Sequence, residues 1–146
     1  MKRLFAALTL TVAASFVAAG SAPQSTGDFP NDPKASPAYA VLVLRRAAVA
    51  ADLAGLSSRF TDDAWEVRDK RFELSALSRE MERMQKVGRG NVPKLTDAYG
   101  NLILSKVALE VELNGLLSSY TPEFPHVKKK RVELAALERE IESLVK

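Results

Sequence analysis

Apolar residues recur along this chain at alternating steps of three and four. Tyr39, Leu42, Arg46, Val49, Leu53, Leu56 and Phe60 form one such stripe, and Tyr99, Leu102, Lys106, Leu109, Leu113, Leu116 and Tyr120 form another. Each is a heptad seam interrupted at one shared position by a basic residue. Two further stripes follow, Val67, Lys70, Leu74, Leu77, Met81, Met84 and Val127, Lys130, Leu134, Leu137, Ile141, Leu144. Between the members of each pair lies a break, at residues 60–65 and 120–125. Pro125 bars its predecessor Phe124 from the α region, so the chain must turn there. Ser36 before Pro37, and Thr96 before Asp97, are placed as N-caps. Asp63 and Glu66 have capping-box spacing ahead of the second stripe, and Gly88 supplies a stop after it. The pattern predicts four helices joined as two αα-hairpins, each arm of about 22 residues and roughly 33 Å long. No strand pattern is present.

The two hairpins are one unit written twice. Residues 38–86 align without a gap on residues 98–146, with 21 identities in 49 positions. The match runs back into the connector through Asn31/Asn91, Pro33/Pro93 and Lys34/Lys94. A single hairpin buries only one stripe per helix. Burial of a leucine-sized side chain contributes about 1.5–3 kcal/mol, against ~1–2 kcal/mol of backbone entropy for each ordered residue. An isolated hairpin is therefore marginal. The fold expected is all-α: two tandem homologous hairpins, at 38–87 and 96–146 with a linker at 88–95, packed as an antiparallel four-helix bundle with coiled-coil-like contacts.

Composition then changes the picture at the amino end. Lys2 and Arg3 precede an uncharged run from Leu4 to Ala19, followed by small residues through Ala22. This has the form of a signal peptide over residues 1–20, too short for the ~20 apolar residues of a comfortable bilayer span. Residues 21–37 carry Pro23, Pro30, Pro33 and Pro37 among small polar residues and read as a disordered tether. Without Lys2 and Arg3 the remaining charge is nearly balanced, which removes the case for a nucleic-acid partner. With no cysteine in the chain, disulfides, thiol chemistry and an acylated-cysteine anchor are excluded. The protein is expected to be exported, periplasmic or extracellular, touching a membrane only if the amino-terminal segment is retained.

Candidate chemistry is sparse. His126 is the only histidine, and Glu66 occupies its place in the first repeat. No ligand spacing points to a metal, no glycine-rich loop to a phosphate, and no cofactor or small-molecule substrate is expected. Glu66/Lys70, Glu82/Lys86 and Glu142/Lys146 have the spacing of surface pairs on a helix. The basic run Lys128–Arg131 reads as a solvated face because Glu133, Glu138, Glu140 and Glu142 follow. The seam residues say more. Folding each hairpin so that Phe60 faces Val67 brings Arg46 near Glu80, and Lys106 near Glu140, either as interhelical pairs that set register or as long side chains that snorkel to water and pair loosely. Gly55 and Gly115 are expected to thin the first arm for close helix approach. Tyr39, Tyr99, Phe60, Tyr120 and Trp65 are expected to staple the hairpin ends.

The segment Leu116–Val127, with Tyr120, Thr121, Pro125 and Val127 at its motif positions and Phe124 where a histidine is usual, resembles a known hairpin. It is similar to the periplasmic coiled-coil hairpin of polysaccharide chain-length determinant and exopolysaccharide export proteins. In the first repeat Thr61 and Val67 match, and Trp65 stands in place of the proline. The resemblance implies an extracytoplasmic helical hairpin that packs against other helices. The function expected is non-enzymatic: a scaffold or interaction protein of the bacterial cell envelope, linked to surface-polysaccharide assembly, acting through a protein partner or self-association. The alternative is a small periplasmic chaperone or stress-binding protein.

Overall fold

The computed structural model describes residues 31–146, so the expected signal peptide at 1–20 and most of the expected tether at 21–37 lie outside the described residues. Within them the chain is all-helical, with no strand. Four long helices run over Pro37–Ser57 (α1), Trp65–Gln85 (α2), Asp97–Ser119 (α3) and Pro125–Val145 (α4). Short 3-10 segments at Pro33–Ala35 and Arg89–Lys94 precede α1 and α3. The matched residues Pro33 and Pro93 thus fall in equivalent elements, and ordered structure reaches four residues ahead of the tether's expected end at Pro37.

Local chemistry sets the boundaries. The Ser36 side chain accepts from the Tyr39 N–H and the Thr96 side chain from the Tyr99 N–H, as N-caps do. At the turns, the Thr61 carbonyl accepts from Ala64 N–H and the Thr121 carbonyl from Phe124 N–H, both at 3.1 Å. Ala64 and Phe124 then take nearly the same extended backbone, with ψ of 138° and 133°. Pro125 imposes that conformation, yet Trp65 follows it equally well. Asp63 does not cap α2: the N-cap position falls on Ala64, which makes no side-chain cap bond. α2 ends at Gln85, ahead of Gly88, which starts the next 3-10 segment.

α1 packs along α2, and α3 along α4; α3 also lies against both α1 and α2, whereas α4 meets α3 and the second 3-10 segment. α3 is therefore the central rod, which explains why it is apolar around most of its circumference. The core joins Leu42 and Val49 of α1, Leu77, Met81 and Met84 of α2, Ile103 and Val107 of α3, and Ile141 of α4. Leu53, Leu74, Leu113 and Leu134, toward the turn end of each stripe, are half-buried.

Two packing expectations are corrected. A Cβ on Gly115 would meet nothing within 4 Å, and one on Gly55 only the end of Arg59 at 4.0 Å, so neither glycine marks a close approach. Gly100 does. A Cβ there would lie 3.0 Å from Ala38 Cα and 3.1 Å from Ala38 O, where α1 and α3 touch. The aromatic staples also differ: Tyr99 is buried, but Phe60, Trp65 and Tyr120 are exposed. Tyr120 stacks on Phe124 at 4.3 Å within the second turn.

Candidate functional site

The pairs expected from the sequence, Arg46 with Glu80 and Lys106 with Glu140, do not form among the described residues. Lys106 reaches Glu80, but across the repeats, from α3 to α2, at 2.6 Å. Arg46 and Glu140 are exposed and make no ion pair among the described residues. The reason is register. Arg45 Nε donates to Glu73 at 2.9 Å and Lys70 lies 3.4 Å from Asp52, so α1 and α2 meet roughly one to two helical turns away from the alignment that would bring Arg46 to Glu80.

The pairs that do set register repeat faithfully. Lys70 bridges Asp52 and Glu73, at 3.4 and 3.1 Å. Sixty residues on, Lys130 bridges Glu112 and Glu133, at 2.7 and 3.1 Å. Those hydrogen bonds, Glu112 first, hold the Lys130 ammonium above the usual lysine range. Both bridges are partly solvated, so solvent screening leaves each contributing little to stability.

Lys106 is different because it is 3% exposed and Glu80 is 5% exposed. Its ammonium also approaches Glu110, one turn on, at 3.2 Å and Glu138 of α4 at 3.4 Å. One cation thus joins carboxylates from α2, α3 and α4. Burial lowers its pKa, but the hydrogen bond and field of Glu80, backed by Glu110, outweigh burial and place it above the ordinary lysine value. Outer cations complete the network: Arg83 holds Glu80 at 2.8 Å and Arg79 holds Glu110 at 3.1 Å. No buried side-chain nitrogen or oxygen among the described residues lacks a partner. Tyr99 lies beside the pair, its hydroxyl pKa pushed up by burial and then by Glu80, against the lowering effect of Lys106.

Above this cluster lies a cleft of about 360 Å³ between α2, α3 and α4, walled by Met84, Val87, Ile103, Ile141 and Val145. A nucleophilic lysine needs a neutral amine, and three carboxylates keep this one protonated. What the arrangement can do is bind helices together. Glu110 could have been read from sequence, four residues after Lys106; Ala50 in the first repeat masks the signal. Glu138 and Gly100 carry no comparable signature. Tyr120, Thr121 and Pro125 lie in the exposed second turn, apart from the cleft.

The outer side of α1 is the other unusual surface. Ala40, Val43, Leu44, Ala47 and Ala51 share it, and all are exposed, Leu44 by 72%. An exposed helix ordinarily directs charge outward. Here Arg45, Arg46 and Asp52 flank an apolar stripe instead. Comparison of the chain with protein-family models, with curated proteins and with solved structures yields no match.

Proposed function

We propose that this protein is a non-enzymatic helical scaffold or interaction module of the cell envelope, built from two tandem αα-hairpins. In this reading α1–α2 and α3–α4 are stacked, with α3 seated in the furrow between α1 and α2. A closed up-and-down bundle would bring α4 onto α1, whereas stacked helix pairs contact only their neighbours. Among the described residues α4 lies against α3 and the second 3-10 segment without comparable packing on α1, which supports stacking. The observation that carries the functional reading is the apolar stripe Ala40, Val43, Leu44, Ala47 on the open side of α1. Surface of that kind is a docking surface on a folded protein. The envelope location rests on the amino-terminal sequence, and the link to polysaccharide machinery on the resemblance at Tyr120–Val127.

The test is capture of partners from the native envelope by the tagged protein and by Leu44→Asp. The side chain is exposed, so the variant keeps its fold and its circular dichroism. A partner held by the parent and lost by the variant supports the reading; equal recovery by both refutes it. The client-holding alternative is favoured by exposed Phe60, Trp65, Leu117 and Tyr120 at the turn end. It requires that the protein suppress aggregation of an unfolding client, and that Trp65→Ser with Tyr120→Ser abolish the effect.

A further inference from the structure

We propose that the partner of the α1 stripe is a second molecule of this chain, stacked head to tail, with Arg46 of one molecule paired to Glu140 of the next. The inference rests on the reading of α1 as a docking surface and names its occupant. α3 turns toward the first repeat a face of Gly100, Ile103, Leu104, Lys106 and Val107, four of them buried and Leu104 partly so. Sixty residues earlier stand Ala40, Val43, Leu44, Arg46 and Ala47, all exposed. The stripe on α1 is therefore the face with which α3 docks, present again on the first long helix, where no element among the described residues covers it.

The receiving side shows the converse. Ala38, Leu42, Leu77, Glu80 and Met84 form the surface that takes α3, and all are buried. Their equivalents Ala98, Leu102, Leu137, Glu140 and Leu144 are exposed or half-buried, Met84 being 3% exposed and Leu144 39%. The molecule ends in a docking face at one side and an empty receiving face at the other. The charges left over are of opposite sign: Lys106–Glu80 joins the repeats at 2.6 Å, and its repeat-equivalents across a junction between molecules are Arg46 and Glu140. The operation that carries the first repeat onto the second carries the second onto the first of a following molecule. Such an interface is heterologous, and unless the rotation closes it propagates.

Two differences loosen the junction between molecules. Ala40 replaces Gly100 where α1 comes within 3.0 Å, so the facing backbone must retreat by a few tenths of an ångström. The two repeats inside one chain are also tethered, whereas two molecules must meet by diffusion. Association is therefore reversible and rises with concentration.

The experiment is sedimentation velocity of the full-length protein over a concentration series, with Arg46→Glu, Glu140→Arg and the double variant. Both residues are exposed, and circular dichroism confirms that the variants fold. The parent is expected to grow past a dimer. Each single reversal should weaken association at least about tenfold, since like charges face each other at a desolvated contact. The double variant should recover it, as should an equimolar mixture of the two singles. A parent that stays monomeric overturns the proposal, as does association indifferent to the reversals. So does sensitivity to Arg46→Glu alone, which would mean symmetric α1–α1 pairing. A monomeric parent that still captures an envelope partner through Leu44 would sink the stacking and leave the interaction module standing.

Discussion

Replacing Lys106 by Met removes the one cation that three helices share and leaves the shape of the site nearly intact. Breaking a buried ion pair from one side costs ~3–5 kcal/mol, because the remaining charge is stranded. Here the stranded carboxylates keep outer partners: Arg83 stays 2.8 Å from Glu80, and Arg79 stays 3.1 Å from Glu110. The loss should therefore fall to about 2–3 kcal/mol. Glu80→Gln is expected to cost less, about 1–2 kcal/mol, because Lys106 retains Glu110 and Glu138. In the double variant nothing is stranded at Glu80, so its loss should be at least about 1 kcal/mol smaller than the two single losses combined. Urea unfolding followed at 222 nm measures all three, with the m-value as a check that the unfolded state is unchanged. If Lys106→Met lies within about 0.5 kcal/mol of the parent, or the losses add within that margin, the cluster does not hold the helices together.

Other expectations follow from the same contacts. Arg46→Ala at dilute concentration should change stability by less than about 0.5 kcal/mol, since the side chain is exposed and makes no ion pair among the described residues; a loss comparable to Lys106→Met would place it in the core network after all. The glycines should separate by urea midpoint. Gly115→Ala should stabilise by up to ~1 kcal/mol because its Cβ enters open space, whereas Gly100→Val should destabilise by about 2 kcal/mol or more where Ala38 blocks it. Pro125→Ala should leave the thermal midpoint nearly unmoved, because Ala64–Trp65 makes the same turn without proline. Lys106 has a folded pKa above its ordinary value of 10.5, so its contribution is complete below that pH and is lost as pH rises through the folded value. Thermal scans between pH 8 and 12 should show a steeper alkaline decline for the parent than for Lys106→Met.

The helices, the caps of α1 and α3 and both turns were legible because each depends on residues within one turn of helix: Ser36 on Tyr39, Thr96 on Tyr99, Thr121 on Phe124. The duplication was legible too. What the pattern could not fix was which helix lies beside which. A heptad stripe marks the face to be covered without naming the cover, and α3 satisfies its stripe with α1, α2 and α4 together. That is why the basic seam residue was given a partner in its own hairpin. Lys106 lies on the side of α3 that meets α2, and the observed register of α1 on α2 carries Arg46 away from Glu80. Gly100 was missed because Ala40 occupies its place in the first repeat, so comparison of the repeats pointed to Gly55 and Gly115, which are shared but open. Identity between duplicated units reports what both need locally. The contact between them depends on positions where they differ.

The 3.2 Å hydrogen bond from the Ala38 N–H to the Leu95 carbonyl has a temporal consequence. The opening turn of α1 finds that acceptor in the stretch leading to α3, more than fifty positions later in synthesis. A ribosome releasing the chain from its amino end thus exposes a leading half whose first helix lacks a terminator for that N–H, and whose flank at Leu42 is still uncovered. Those contacts of the leading half are complete only once Leu95 and α3 are in place, so the first unit's final structure depends on the second.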